Sequence, residues 1–288
     1  MSLLARVTND NRAVLAGGLL TGLFALAGMV GAVTLLHPGL EDLWFDQNLD
    51  LALAPPGTEG HLLGTDSLGR DLLWRTLSAT GLSLLAAIGV TTIVLSLGLT
   101  LGSFAGYYGG RADRRISAII DLAWGFPLVL VAVIVTGMIG RGITAIAVAI
   151  ALVAWAGLAR VVRAQVRSLR ERDFVEALRA LGVPELRILV RHVTPHLTGT
   201  VVVMASHYVG VTVITEAALS FLNLGVQPPT PSLGGMIANG RNYFSVSIWP
   251  LVVPGAVLAL IVLGLNFLGD GLRDVLDPRL HTARGRAR

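Results

Sequence analysis

Six blocks of apolar residues, each near the length that crosses a bilayer, dominate this chain: about 13–36, 80–105, 117–139, 143–159, 197–222 and 248–268. A helix needs roughly 20 apolar residues to span a ~30 Å hydrocarbon core. In lipid the backbone must also satisfy its own hydrogen bonds, which a helix does within one segment. The pattern predicts an all-α polytopic membrane protein with six transmembrane helices. Only 14% of the residues are charged, against roughly 25% in soluble domains. The first block follows Arg6 and Arg12. It is too long for a cleaved signal sequence and no convincing small-x-small site follows it, so it reads as a retained anchor. The fourth is short and could begin a few residues earlier.

The arginines orient the spans. Eighteen of the 22 fall on one side: Arg6 and Arg12, the 111–115 loop, the 160–196 loop and the tail. Arg70, Arg75, Arg141 and Arg241 fall on the other. Positive loops stay in the cytoplasm, so both termini and the 160–196 loop are expected there. The opposite loop at 37–78 is acidic, with Glu41, Asp42, Asp46, Asp50, Glu59, Asp66 and Asp71. Arginines gathered at the ends of apolar spans are a membrane pattern, not the basic soluble face that nucleic acid requires. The chain has no cysteine, which excludes disulfides, thiolate metal sites and cysteine nucleophiles. It has no lysine either, which excludes Schiff bases and the GxxxxGK[ST] phosphate loop, so the chain does not hydrolyse ATP by that route.

The 160–196 loop carries the most informative stretch, Asp173 to Glu185. Asp173 suits a helix N-cap, with Glu176 three residues on completing a capping-box pair. Phe174, Ala177, Leu178 and Leu181 then share one face of two turns, and Val175 sits within them. Gly182 suits the left-handed residue that ends a helix. Pro184 suits the first turn of a second helix, which Pro195 closes. A short helix, a glycine elbow and a second helix would stand out of the bilayer with an apolar face uncovered. Such a face fits another protein's groove, or it lies on lipid headgroups among the nearby arginines.

This stretch resembles the cytoplasmic signature of permease subunits of ATP-binding-cassette importers: Glu-Ala-Ala, a Gly six residues after the Glu and a Pro nineteen after it. Glu176, Ala177, Gly182 and Pro195 stand at those spacings, with Leu178, His192 and Thr194 as departures. The branch is indicated by three further runs. His61-Leu62-Leu63-Gly64-Thr65-Asp66-Ser67-Leu68-Gly69-Arg70-Asp71 is similar to the motif preceding the second span in C-type subunits of dipeptide and oligopeptide permeases. So are residues 216–232, from Glu216 to Ser232, and 268–279, from Leu268 to Arg279. Trp74 and Gly81 depart from that family's usual Ser and Arg.

The resemblance implies a type I ABC importer permease fold in a bacterial inner membrane. It implies an anchor and outer loop at 1–78, a permease core at 79–270 holding the coupling loop 160–196, and a tail at 271–288. It further implies a sister permease subunit of B type, an extracytoplasmic substrate-binding protein, and two ATPase subunits or one fused ATPase. ATP and Mg would be bound by those partners and no cofactor by this chain, which is not itself an enzyme. The ATPase would seat on Phe174, Val175, Glu176, Ala177, Leu178, Leu181, Gly182 and Pro195. The binding protein would dock on the outer loops, where Asp66, Arg70, Asp71, Gln227 and Pro228 are the candidates. Related C-type subunits serve dipeptides, longer peptides, glutathione and nickel, and others haem.

Inside the spans, Glu216 is the only deeply placed carboxylate, on a stripe with Tyr208, Thr212 and Ser220. A buried charge there costs at least ~3 kcal/mol. The stripe lines a translocation path or binds a neighbouring helix. His207 lies on nearly the opposite face from Glu216, nine residues away, which makes a metal pair a poor reading. One intramembrane carboxylate also argues against an ion-coupled secondary transporter. A membrane-embedded enzyme lacks any acid, base and nucleophile at interpretable spacing. Gly98, Gly102 and Gly106 form a close-packing face. Pro127 is expected to kink the third span, and Asp121 to pair with an arginine such as Arg115 or Arg163. The first span is expected to be peripheral to the core.

Overall fold

The computed structural model describes residues 12–37, 39–58 and 60–276. Arg6, Glu59, the last four arginines and residues 277–288 of the tail therefore lie outside the described residues. Among those described there are nine principal helices. These are α1 (Arg12–Leu36), α2 (Leu72–Tyr108), α3 (Gly110–Gly125), α4 (Leu128–Ile139), α5 (Ile143–Arg170), α6 (Asp173–Ala180), α7 (Thr198–Phe221), α8 (Leu233–Gly240) and α9 (Trp249–Leu276). Five helical stretches are long and apolar enough to cross a membrane, or six if the bent pair α3–α4 is one span. The chain is a multi-pass membrane protein.

The centre of the fold is the pair α2 and α5. Gly98, Gly102 and Gly106 face Leu158, Ala159, Val162, Arg163 and Val166 on α5. A methyl group on Gly102 would sit 2.6 Å from the Ala159 carbonyl oxygen. Without such side chains the two backbones come into direct contact, which is how helices associate when lipid offers no hydrophobic drive between them. Around this seam Val90, Val94, Ile146, Leu158, Val162 and Val166 form the larger apolar cluster.

The first span lies at the edge of the fold, as expected, and is packed closely against it. One side of α1 is exposed, with Leu19, Leu23 and Leu26 outward, but the other is seated against α2 and α9. A Cβ on Gly81 would lie 2.4 Å from the Ala32 backbone nitrogen. Thr34 and Ser78 hydroxyls meet at 2.8 Å across the same contact. The glycine that departs from the family's usual arginine is therefore the place where α1 crosses α2.

The third span is broken rather than kinked. α3 and α4 meet at 86°, with Phe126 extended (φ −87°, ψ 128°) and Pro127 just ahead of the first residue of α4. A residue before proline is pushed out of the helical region, so the helix ends instead of bending. α4 has 12 residues, about 18 Å of helix, too short to cross a bilayer alone. The fourth span, by contrast, outruns its apolar block by a further eleven residues, to Arg170.

Replacing Gly102 by Val is expected to cost ~1–3 kcal/mol through overpacking and to lower the melting temperature of the purified protein in detergent. Gly89→Val, on the same helix but with open space around it, should leave the melting temperature unchanged.

Candidate functional site

At the arginine-rich end, α6 and the turn after it form a compact elbow. The N-cap is Arg172, not Asp173, and no side chain caps the helix. Asp173 and Glu176 instead place negative charge in the first turn, where the helix dipole favours it. Gly182 takes φ +75°, the left-handed conformation expected of it. Pro184 precedes the short turn Glu185–Arg187 from outside it. Pro195 closes nothing: it lies in a 3-10 turn, Thr194–Leu197, that follows a π-helical turn, Ile188–Val193, and runs directly into α7.

The faces of the elbow also differ from expectation. Val175 is fully buried, and Phe174 and Leu178 pack beside it on a cluster that includes Ile188, Leu189 and Val193. The Phe174 ring lies 5.4 Å from that of His196. Phe174 and Leu178 therefore turn inward. The outward surface carries Glu176, Ala177, Ala180, Gly182 and Leu181, the last 80% exposed. Periodicity grouped Phe174 with Leu181 because it has no knowledge of what the returning chain covers.

A polar cluster missed by the sequence reading lies behind the elbow. The Tyr107 hydroxyl donates to Glu185, and Arg179 Nε donates to Glu185 at 3.1 Å. The Arg179 guanidinium also sits 5.7 Å from the centre of the Tyr107 ring. Partial burial disfavours the Arg179 charge, but Glu185 and Tyr107 outweigh it and hold the guanidinium above its usual range. Arg170 Nη1 donates to the Tyr107 carbonyl at 2.8 Å, closing the end of α2. Nearby, Arg163 Nη2 donates to Asp113 at 2.8 Å. Asp121 pairs with an arginine as expected, and that arginine is Arg160, at 2.8 Å, because the break at Pro127 turns α3 along this end of α5.

In the interior, Thr212, Glu216 and Ser220 are almost completely buried and Tyr208 half-buried. Ser83 of α2 donates to one Glu216 oxygen and Ser220 to the other, both at 2.7 Å. The stripe thus joins α7 to α2, which favours helix binding over a lining role. Ser83 was invisible to sequence reasoning because it is 133 residues away. His207 is exposed on another face of α7. Among the described residues no three His, Asp or Glu converge as a metal ion would need.

At the opposite end the 37–78 loop is tied by a buried carboxylate. Asp66 accepts from Leu68 N (2.8 Å), Arg70 N (3.1 Å) and Arg70 Nε (2.7 Å), and Arg75 Nε lies 3.3 Å away. Arg75 Nη1 reaches the Trp44 carbonyl at 3.0 Å. Asp71 caps α2 through Trp74 N at 3.0 Å and pairs with His61 at 2.7 Å. Asp66 and Arg70, expected at a docking surface, are instead turned inward, each under a tenth exposed. Gln227 and Pro228 are exposed as a docking surface requires.

With this geometry in place, comparison with known proteins is decisive at the family level. Residues 98–282 match the family described as "Binding-protein-dependent transport system inner membrane component". The chain belongs to this family. It is 39% identical over 235 residues to the oligopeptide transport system permease protein OppC of Haemophilus influenzae, covering 81% of this chain and 76% of that one. It is 40% identical over 223 residues to the glutathione transport system permease protein GsiD of Pectobacterium atrosepticum, covering 77% and 74%. To the di/tripeptide transport system permease protein DppC of Pseudomonas aeruginosa it is 38% identical over 272 residues, covering 90% and 89%. A chain of the inward-facing MetNI methionine ABC transporter superposes with TM-score 0.57 at 19% identity, covering 72% of this chain and 98% of that one. The fold is that of an ABC importer permease.

Asp66→Asn should leave two buried guanidiniums without their counter-charge, a loss of ~3–5 kcal/mol. A clearly lowered melting temperature is expected, whereas Gln227→Ala, at an exposed residue, should melt like the parent chain.

Proposed function

We propose that this chain is one permease subunit of an ATP-binding-cassette importer that carries di- and oligopeptides into a bacterial cell across its inner membrane. Family membership supports the transport role, and relatives named for oligopeptides, di/tripeptides and glutathione support a short peptide cargo. Glutathione is a small peptide, so a glutathione-like tripeptide is the second reading with an observation behind it. Nickel and haem have none in this chain. An ion-coupled secondary transporter fits poorly, because both oxygens of the single deep carboxylate are already taken by serine hydroxyls.

The observation that carries the coupling role is the elbow. Its inner face is fixed to the chain by Val175, Phe174 and Leu178, while Glu176, Ala177, Leu181 and Gly182 stand outward. A rigidly mounted knob of this kind suits the groove of an ATPase subunit, where ATP and Mg would be bound. ATP-driven closure of the ATPase pair would then displace the elbow and tilt the spans, opening a cavity shared with the sister permease to alternate sides. The binding protein would dock opposite, at a surface including Gln227 and Pro228 but not Asp66 or Arg70. The exposed side of α1 would meet lipid.

Glu176→Arg and Gly182→Leu are expected to abolish stimulation of ATP hydrolysis by loaded binding protein in the reconstituted complex, with membrane insertion intact. Full stimulation in both variants would remove the elbow from the ATPase contact. Orientation is checked separately, using the absence of native cysteine. Leu62→Cys should react with an impermeant maleimide added outside spheroplasts, and Leu181→Cys only after the membrane is opened.

A further inference from the structure

The cluster of Tyr107, Glu185 and Arg179 sits where four elements meet: the end of α2, the end of α5, the elbow helix α6 and the turn Glu185–Arg187. Tyr107 is 2% exposed, and its backbone is held by Arg170. Its hydroxyl reaches across to Glu185, the second residue of the elbow's far arm after Val183. Arg179, from the near arm, meets both of them. Among the described residues this is the only polar side-chain tie between the 173–187 segment and α2.

What lies beyond Tyr107 gives the tie its consequence. α2 is an unbroken helix of 37 residues, about 55 Å long, with no proline within it. It meets α5 through the glycine seam and α7 through Ser83 and Glu216. Its other end is locked into the outer loop by Asp71, Arg75 and Asp66. A displacement delivered at Tyr107 is therefore carried along one rod to the contacts at the opposite surface. The apolar contacts of Val175, Phe174 and Leu178 seat the elbow's inner face, and the hydrogen bonds at Tyr107 add a directional link from it to α2.

We propose that Tyr107, held by Glu185 and Arg179, is the positioning residue through which movement of the elbow is handed to α2. This rests on the elbow being the ATPase contact. Tyr107→Phe keeps the ring and its packing and removes only the hydroxyl that joins the two elements. Energy from ATP would still be spent, but less of it would reach the transport pathway.

The test uses the complete complex in proteoliposomes. Uptake is followed with the radiolabelled peptide that the wild type carries fastest from a di-, tri- and pentapeptide set, and ATP hydrolysis is measured in the same vesicles. Tyr107→Phe should hydrolyse ATP in response to loaded binding protein yet carry at least about fivefold less peptide per ATP, the scale of a modest coupling free energy. Glu185→Gln, at an exposed position, should do the same and serves if Tyr107→Phe fails to assemble. Adding it to Tyr107→Phe should cause no further loss. A merely structural role would lower uptake and hydrolysis together and leave their ratio at the wild-type value. An unchanged ratio in the variants overturns the proposal. Glu176→Arg separates the two readings: if it loses stimulation while Tyr107→Phe keeps the wild-type ratio, only the joint is wrong. If Glu176→Arg and Gly182→Leu both keep stimulation, the elbow assignment itself falls.

Discussion

The backbone contact between α2 and α5 is the constraint on which the rest of the structure depends. Lipid is as apolar as leucine, so two spans gain little by burying ordinary side chains against each other. They gain by approaching until backbone atoms touch over a long seam. Gly98, Gly102 and Gly106 permit that approach, and Ala159, Val162 and Val166 fill what remains. Once α2 is fixed, α1 crosses it at Gly81, α7 is tied to it at Ser83, and its two ends receive the elbow and the 37–78 loop.

Charged groups are few in this chain, 14% of its residues, and two of the buried ones, Glu216 and Asp66, fasten separate parts of it together. Glu216 accepts two hydroxyls, one from each of the helices it joins, which is how a carboxylate is kept in a place where it otherwise costs several kcal/mol. Asp66 binds two arginines and two backbone amides, which ties the loop between two spans to the start of α2. These residues belong to motifs that invite a direct functional reading as contacts for cargo or for a docking protein. The geometry gives both a structural duty instead. Gln227 and the outward side of the elbow, by contrast, stand exposed.

The elbow combines fixity and exposure. Its helix has only eight residues, too few to persist alone in water, and it is held by Val175 and the π-helical and 3-10 turns beneath it. Those irregular turns keep the chain winding without interruption from the elbow into α7. The Pro195 ring sits at the start of a 3-10 turn, where its missing N–H costs nothing. Two spans, α2 and α7, are thus addressed by one small element, the first through hydrogen bonds and the second through continuous chain.

Much of this was legible in the sequence. The six apolar blocks, the glycine seam, the left-handed Gly182 and the family signature all depend on local spacing or on composition, which a chain carries openly. Hydropathy is a sum over neighbours, and a helix's small-residue face repeats every four positions. Partnerships between distant residues followed no such rule. Ser83 with Glu216, Tyr107 with Glu185, Asp121 with Arg160 and the burial of Asp66 and Arg70 were decided only when the helices packed. The same holds for Phe174 and Leu178, whose inward turn reflects the returning 188–193 segment, and for the 86° break, whose angle no proline alone specifies. The sequence by itself determined that this chain spans a membrane as helices and which stretch stands out as a knob. Tertiary structure decided which side of that knob is free and which polar groups are spent on holding it, because contact between residues far apart in the chain is a property of packing and not of order.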